Sequence, residues 1–221
     1  MTSPPASPPV FYGCPVVCAS AGAELDARPR RGAAAIGLLP TAPRAEDVAG
    51  ALLLALGGQL TAEARVAAPV ALVSARLSAH RAEDFFAQCR DTGRRLRPLA
   101  SVRMETALMV QPFADRSDWS GSAYAIVTPG PRGADSAVRW AGAGVAAGIF
   151  PAAYVCEVLP YGPDQGGVLA AGVVVARHPD VIASRPAVTV GTGRVGLHPR
   201  PYLLDVLPGA EVSPSQRGRA K

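Results

Sequence analysis

Apolar residues at helical spacing mark the first clear element of the chain. Val48, Leu52 and Leu56 recur every four residues, so they fall on one face of a helix. Two acidic residues precede this run and two glycines follow it. Acidic residues suit the positive amino end of a helix, and glycine commonly ends one. The pattern therefore predicts a helix over residues 44–56.

A strand over residues 69–77 and a second helix over residues 79–96 are predicted next. The first segment is interpreted with the two-residue period of a strand, in which Val70, Leu72, Ser74 and Arg76 alternate with Ala71, Val73, Ala75 and Leu77. In the second segment, Phe85, Phe86 and Cys89 supply an apolar face, and arginines crowd the carboxyl end. Cations at that end are favoured by the helix dipole.

Two pairs of strand-like segments each flank a turn, and each pair predicts an antiparallel hairpin. One turn is polar, and the other is rich in Gly, Pro and Asp. Hairpins together with helices that fall early favour α+β over strict alternation of strand and helix. We predict an α+β domain with a mainly antiparallel sheet and two to three helices. The paired segments are 102–113 with 122–128 and 152–159 with 168–177, and a further strand at 10–20 is interrupted by Gly13 and Pro15.

The two ends of the chain differ in composition from its body. Residues 1–9 are rich in Ser and Pro, and residues 211–221 are polar and basic. Such segments bury too little apolar surface to fold, so both are predicted to be short disordered tails. Because no repeat or shift in composition divides residues 10–210, they are predicted to form a single compact domain.

The charge balance favours an acidic partner. The chain has 22 basic and 17 acidic residues and a net charge of +5. Lys221 is the only lysine and asparagine is absent, a bias typical of a GC-rich genome. The arginine excess therefore indicates protein or nucleic-acid binding only where arginines cluster in space.

Such a cluster is predicted on the second helix. Arg90, Arg94 and Arg97 share one face at intervals of four and three residues, and Arg81 and Arg95 add to the same helix. These five arginines are the predicted binding surface for an acidic protein or a nucleic acid. Neither aromatic stacking platforms nor a known nucleic-acid module accompanies them, so a solvated charged face is the alternative.

The sequence carries no recognised catalytic signature. Residues 191–196 match the Gly-x-Gly-x-x-Gly pattern, but two prolines follow within five residues and forbid the helix that a dinucleotide site requires. We therefore predict a non-enzymatic interaction or accessory protein that uses no cofactor. The alternative is a small enzyme with a site built from loops around Asp115–Ser122, His178 and His198, because histidine is the commonest general base.

The cysteines and the chain start bear on metal binding and location. Cys14 and Cys18 have a zinc-like spacing but no clear second pair, so we predict free thiols and no metal. The start of the chain lacks the basic and apolar regions of a signal peptide. An intracellular location is therefore predicted, cytoplasmic or, in a eukaryote or virus, nuclear.

One uncharged stretch raises the question of a membrane span. Residues 140–156 include no charged side chain, but they contain Pro151 and are rich in Ala and Gly. A spanning helix needs about 20 predominantly apolar residues. The stretch is predicted to be a buried helix or turn that leads into a buried strand, with no membrane association.

Replacing Arg90, Arg94 and Arg97 together by Gln tests the predicted surface. If these arginines contact phosphates, log K for nonspecific nucleic acid falls against log salt with a slope of about −0.9 per phosphate on B-DNA. We expect the triple variant to reduce the slope by roughly two to three units with the fold unchanged. Deletion of residues 213–221 is the control, because a basic tail alone can bind weakly. Equal binding by wild type and triple variant would identify an ordinary solvated face.

Overall fold

The computed structural model describes residues 10–20, 36–39, 44–91, 105–161, 167–182 and 201–207. The strands within them are β1 (Phe11–Tyr12), β2 (Val16–Ser20), β3 (Ile36–Leu39), β4 (Val70–Val73), β5 (Ala123–Ile126), β6 (Ala152–Tyr161) and β7 (Gly167–Ala176). The α-helices are α1 (Ala45–Gly57), α2 (Ala62–Ala67), α3 (Ala75–Arg90), α4 (Gln111–Arg116), α5 (Pro131–Ala146) and α6 (Leu203–Val206), with short 3-10 helices at Thr106–Val110 and Pro179–Val181.

The described strands form one mixed sheet in the order β3-β2-β7-β6-β4-β5, and β1 pairs with β7 beside β2. Strand β7 is antiparallel to each of its partners, whereas β4 is parallel to both β5 and β6, and β2 is parallel to β3. The protein is therefore α+β as predicted, but the prediction of a mainly antiparallel sheet was wrong. The prediction of two to three helices was also too low, since six α-helices lie in the described residues alone.

The predicted first hairpin is the source of the error in strand direction. Residues 102–113 were expected to be a strand, but their described part forms a 3-10 helix and the start of α4. Pro112 stands in the first turn of α4, where its missing N–H costs no helical bond. Because the chain crosses one face of the sheet before β5, that strand pairs parallel to β4 instead of turning back beside a neighbour.

The second predicted hairpin and the interrupted strand are confirmed. Strands β6 and β7 pair antiparallel over ten residues each. Strands β1 and β2 both lie along β7, and the break between them is bridged by Gln59, which is buried at 1% exposure. The Cys14 N–H donates to Gln59 Oε1, and Gln59 Nε2 donates to the Cys14 carbonyl, each at 2.9 Å. The amide side chain thus replaces the ladder bonds that the break removes.

Helices cover both faces of the sheet. On one face, α1 presents Val48, Leu52, Leu53 and Leu56, all fully buried, which confirms the predicted first helix and its apolar side. On the other face, α5 packs through small residues such as Ala137 and Ala141. Since aromatic residues make up only 5% of the chain, the core is built mainly from Ala, Val and Leu at close spacing.

Helix α3 begins earlier than predicted. The strand before it ends at Val73, and the helix starts at Ala75, so the predicted strand over 69–77 was wrong in its second half. Leu77 continued the alternation that suggested a strand, but it is buried by the helix against the α1 side of the sheet. At this junction the conformation of the chain is therefore determined by burial in the folded protein and not by the local alternation of side chains.

The uncharged stretch 140–156 divides between α5, a turn and β6, as predicted. Helix α5 begins at Pro131, because Gly130 takes up a positive φ of 71° and turns the chain into it. None of the helices in the described ranges is long and apolar enough to cross a bilayer. The predicted tails, residues 1–9 and 211–221, lie outside the described residues.

Two glycines of α5 offer a matched test of this close packing. A methyl group added at Gly144 would overlap the ring of Phe150, whereas one added at Gly142 meets nothing within 4 Å. Helix propensity favours Ala at both positions by about 0.5–1 kcal/mol. We expect Gly142→Ala to raise the urea midpoint of unfolding. Gly144→Ala should lower it, because overpacking costs about 1–3 kcal/mol, and equal midpoints for the two variants would contradict this packing.

Candidate ligand-binding cleft

A cleft lies at the edge of the sheet toward which the parallel strands β4, β5 and β6 run. Val73 ends β4 and is in register with Glu157 of β6, while Thr128 and Gly130 follow β5. All four residues line the cleft. Because parallel strands share one direction, the loops and helices that follow them meet at a single edge of the sheet.

The connection from β4 to β5 and the connection from β5 to β6 pass over opposite faces of the sheet. After β4 it passes over the α1 side, where Leu77 of α3 and Phe113 of α4 are buried. It returns from β5 to β6 through α5, which packs on the other side. In open α/β sheets, ligands bind outside the carboxyl ends of strands where the connections diverge in this way. The topology thus places the cleft at a point suited to ligand binding.

Arg76, in the first turn of α3, brings a positive charge to the cleft. Its guanidinium carbon lies 4.0 Å from the centre of the Tyr202 ring, a cation–π contact. Its Nη1 atom is buried and donates no hydrogen bond within the part of the chain that the structure describes. A buried donor without a partner costs about 1–3 kcal/mol, and more where it is charged. The position of Nη1 therefore carries an energetic cost in the described structure.

Glu157 brings a buried carboxyl group to the same cleft. The residue is only 4% exposed, and its Oε2 accepts a hydrogen bond of 2.7 Å from the Leu203 N–H. Burial raises the pKa of this carboxyl above its ordinary value, and bonds from the Leu203 and Tyr202 backbone and the charge of Arg76 act in the opposite direction. The bond from Leu203 joins the start of α6 to β6 and holds the carboxyl in place.

The backbone adds positive potential to the cleft. Helices α3 and α5, each of 16 residues, both begin beside it, at Ala75 and at Pro131. The amino end of a helix carries a partial positive charge of about half a unit. Between β5 and α5 the loop is tightly folded, since a methyl group added at Gly133 would overlap the Thr128 carbonyl. These helix ends add to the positive electrostatic potential that Arg76 creates in the cleft.

The arginines predicted to bind an acidic partner lie in different environments. Arg81 forms an ion pair of 2.6 Å with Glu46, with side chains 18% and 17% exposed, and so links α3 to α1. Arg90 is exposed at the end of α3. Arg94, Arg95 and Arg97 lie outside the described residues. The binding surface therefore stays a prediction.

The loops of the alternative enzyme site have structural contacts in the described residues. Asp118 pairs with Arg65 of α2 at 3.2 Å, and the Trp119 indole N–H donates to the Ala68 carbonyl at 2.7 Å. His178 is exposed just beyond β7, and among the described contacts none joins it to residues 115–122. His198 lies outside the described residues, as does the Gly-rich motif at 191–196.

Sequence reasoning missed Arg76, Glu157 and Tyr202. One signal was present, because Glu157 is the only charged residue in the otherwise apolar strand over 152–159. A charge placed within a buried strand is unusual unless it is paired or functional. The four cysteines form no disulfide bond with one another, and the described residues contain no cluster of ligands for a metal ion.

Neither a scan against models of protein families nor a search among curated proteins finds a match to this chain.

The raised pKa of Glu157 predicts a specific dependence of stability on pH. The stabilisation by this carboxyl is complete below about pH 4.3, the ordinary pKa of Glu, and is lost as the pH rises through its higher pKa in the folded protein. Glu157→Gln stays neutral and keeps an acceptor for the Leu203 N–H. We expect the free energy of unfolding of wild type minus that of the variant to be larger at pH 4 than at pH 8. Urea unfolding of both proteins at pH 4 and at pH 8 measures this difference. A difference that is larger at pH 8 would contradict the burial of the carboxyl.

Proposed function

We propose that the protein binds a small ligand with an anionic group, and that Arg76 receives the anion. The observation that carries the proposal is the buried Nη1 atom without a hydrogen-bond partner. A guanidinium keeps its proton at all physiological pH values, so it binds and orients an anion without exchanging protons. The proposed role of Arg76 is thus ligand binding and not proton transfer.

The size of the cleft limits what it can hold. Its volume is about 10 Å³, which is about the space that one water molecule needs. Pockets for drug-sized ligands have volumes of about 300–1,000 Å³. The cleft therefore has room for about one oxygen atom of an anionic group, such as a carboxylate or phosphate, and the rest of the ligand would lie outside it.

A second candidate function is contact with an acidic protein or a nucleic acid through the outer part of α3. Arg90 is exposed there, and Phe86 of the same helix is 59% exposed. An exposed aromatic ring next to an arginine is a combination that interfaces use often. The salt dependence described for the triple arginine variant tests this function separately from the cleft.

Thermal unfolding with acetate or phosphate as the probe tests anion binding at Arg76. Ligand at about ten times its Kd stabilises the folded state by about 1.4 kcal/mol and raises the Tm. We expect this rise for wild type and its loss in Arg76→Gln. Arg90→Gln is the matched control, because it removes the same charge from the same helix outside the cleft. Equal Tm responses by wild type and Arg76→Gln would show that Arg76 is not the anion site.

A further inference from the structure

We infer that β5 pairs with β5 of a second copy of the chain, so that the two sheets join edge to edge across a twofold axis. This inference goes beyond the proposed anion site and does not depend on it. Strand β5 is the last strand of the described sheet, with β4 on one side and no described strand on the other. A strand edge of this kind offers its backbone N–H and C=O groups to another strand.

The backbone groups on the outer side of β5 belong to alternate residues. On the inner side, the carbonyls of Ser122 and Ile126 accept bonds of 2.9 and 3.4 Å from N–H groups at the two ends of β4. Since backbone groups alternate in direction along a paired strand, the N–H and C=O groups of Ala123, Ala125 and Val127 point away from β4. All three residues are exposed. The outer edge therefore has three accessible residues that can each donate and accept.

The charge pattern around β5 favours a second copy of the same chain in antiparallel orientation. Each copy has a net charge of +5, so a contact between copies is favoured where like charges are absent. Residues 119–131 carry no charge, whereas Asp118 precedes them and Arg132 follows them, and both are exposed. Asp118 is 53% exposed even in its ion pair with Arg65. Antiparallel pairing brings the acidic end of one segment toward the basic end of the other, whereas parallel pairing would bring like charges together.

Antiparallel pairing centred on Ala125 also matches the side chains. Ala125 then lies opposite Ala125 of the second copy, and the three outward-pointing residues of the two strands face one another and exchange hydrogen bonds. Tyr124 comes opposite Ile126 of the second copy. These two residues lie on one face of the strand, since they are two positions apart. An aromatic residue opposite a β-branched one is a favourable cross-strand pair.

A row of aromatic rings beside the edge adds apolar surface to the contact. The Tyr124 ring centre lies 4.9 Å from that of Trp140, which in turn lies 5.5 Å from that of Phe150. Tyr124 is 48% exposed, and Ile149, next to Phe150, is 75% exposed. Clustered exposed apolar residues often mark protein interfaces, and aromatic residues are enriched there. The apolar row and the open edge therefore form one surface.

Ala125 is the position to test, because the inferred twofold axis passes beside it. Sedimentation equilibrium of wild type should give a mass that approaches twice 22.6 kDa as the concentration rises. Ala125→Lys and Ala125→Glu should each weaken dimerisation by about ten-fold or more, because each sets two like charges opposite each other. An equal mixture of the two variants should recover the dimer, since Lys then lies opposite Glu. Ala55→Lys and Ala55→Glu are the matched controls, because they place the same charges at an exposed position of α1, and they should dimerise like wild type.

Amide hydrogen exchange of wild type gives a second measurement that needs no variant. The Ala125 N–H should become protected as the dimer forms, whereas the Ile126 N–H, which points toward β4, should be protected at every concentration. This measurement decides the inference if circular dichroism shows that the Ala125 variants do not fold. A wild type that stays monomeric at its highest soluble concentration would overturn the inference and leave the edge to another protein or another segment of this chain. So would a dimer that neither charged variant weakens, or one in which the Ala125 N–H exchanges freely.

Discussion

The antiparallel ladder between β6 and β7 determines where the rest of the described sheet lies. Both strands are buried on two faces, so a slip of one residue would move every side chain to the opposite face. Strand β2 adds to the free edge of β7, and β4 adds to the free edge of β6. Because β4 runs parallel to β6, its carboxyl end comes beside Glu157, and α3 starts there. The cleft is a consequence of that register.

Small side chains let the helices approach the sheet closely enough to hold this arrangement. At Gly172 of β7, an added methyl group would come within 2.7 Å of Leu56 and 3.1 Å of Leu52 on α1. Such close packing gains dispersion energy over many atom pairs and leaves few alternative positions. The site benefits directly, because Arg76 and Glu157 belong to different elements and keep their relative position only while the helices and sheet stay in register.

The fold was predictable from the sequence where the signal is local. Helical spacing in residues 44–56 and the turn between two apolar runs defined α1 and the β6–β7 hairpin. The relative direction of the strands was not predictable from local sequence. The parallel pairing of β4 with β5 depends on a crossing connection whose apolar residues, up to Phe113, resemble a strand when read alone. In the candidate site, Glu157 could be recognised from the sequence as a single charged residue among apolar ones. Arg76 and Tyr202 are far apart in the sequence and come into contact only in the folded protein.

The energetic cost of the cleft is itself an argument for its use. Replacing a buried charged pair by apolar residues of similar volume is often neutral or stabilising. Here Arg76 leaves a buried nitrogen without a partner, and burial opposes ionisation of Glu157. Both costs fall in one cleft, while the other buried polar atom without a partner among the described residues, the Tyr154 hydroxyl, belongs to the core on the α1 side of the sheet. Local rules are most often broken at functional sites, where a ligand supplies the missing interactions. An anionic group at Arg76 would supply the missing hydrogen bond, so the chemistry that the proposed site would accept follows from Arg76 and not from the fold class.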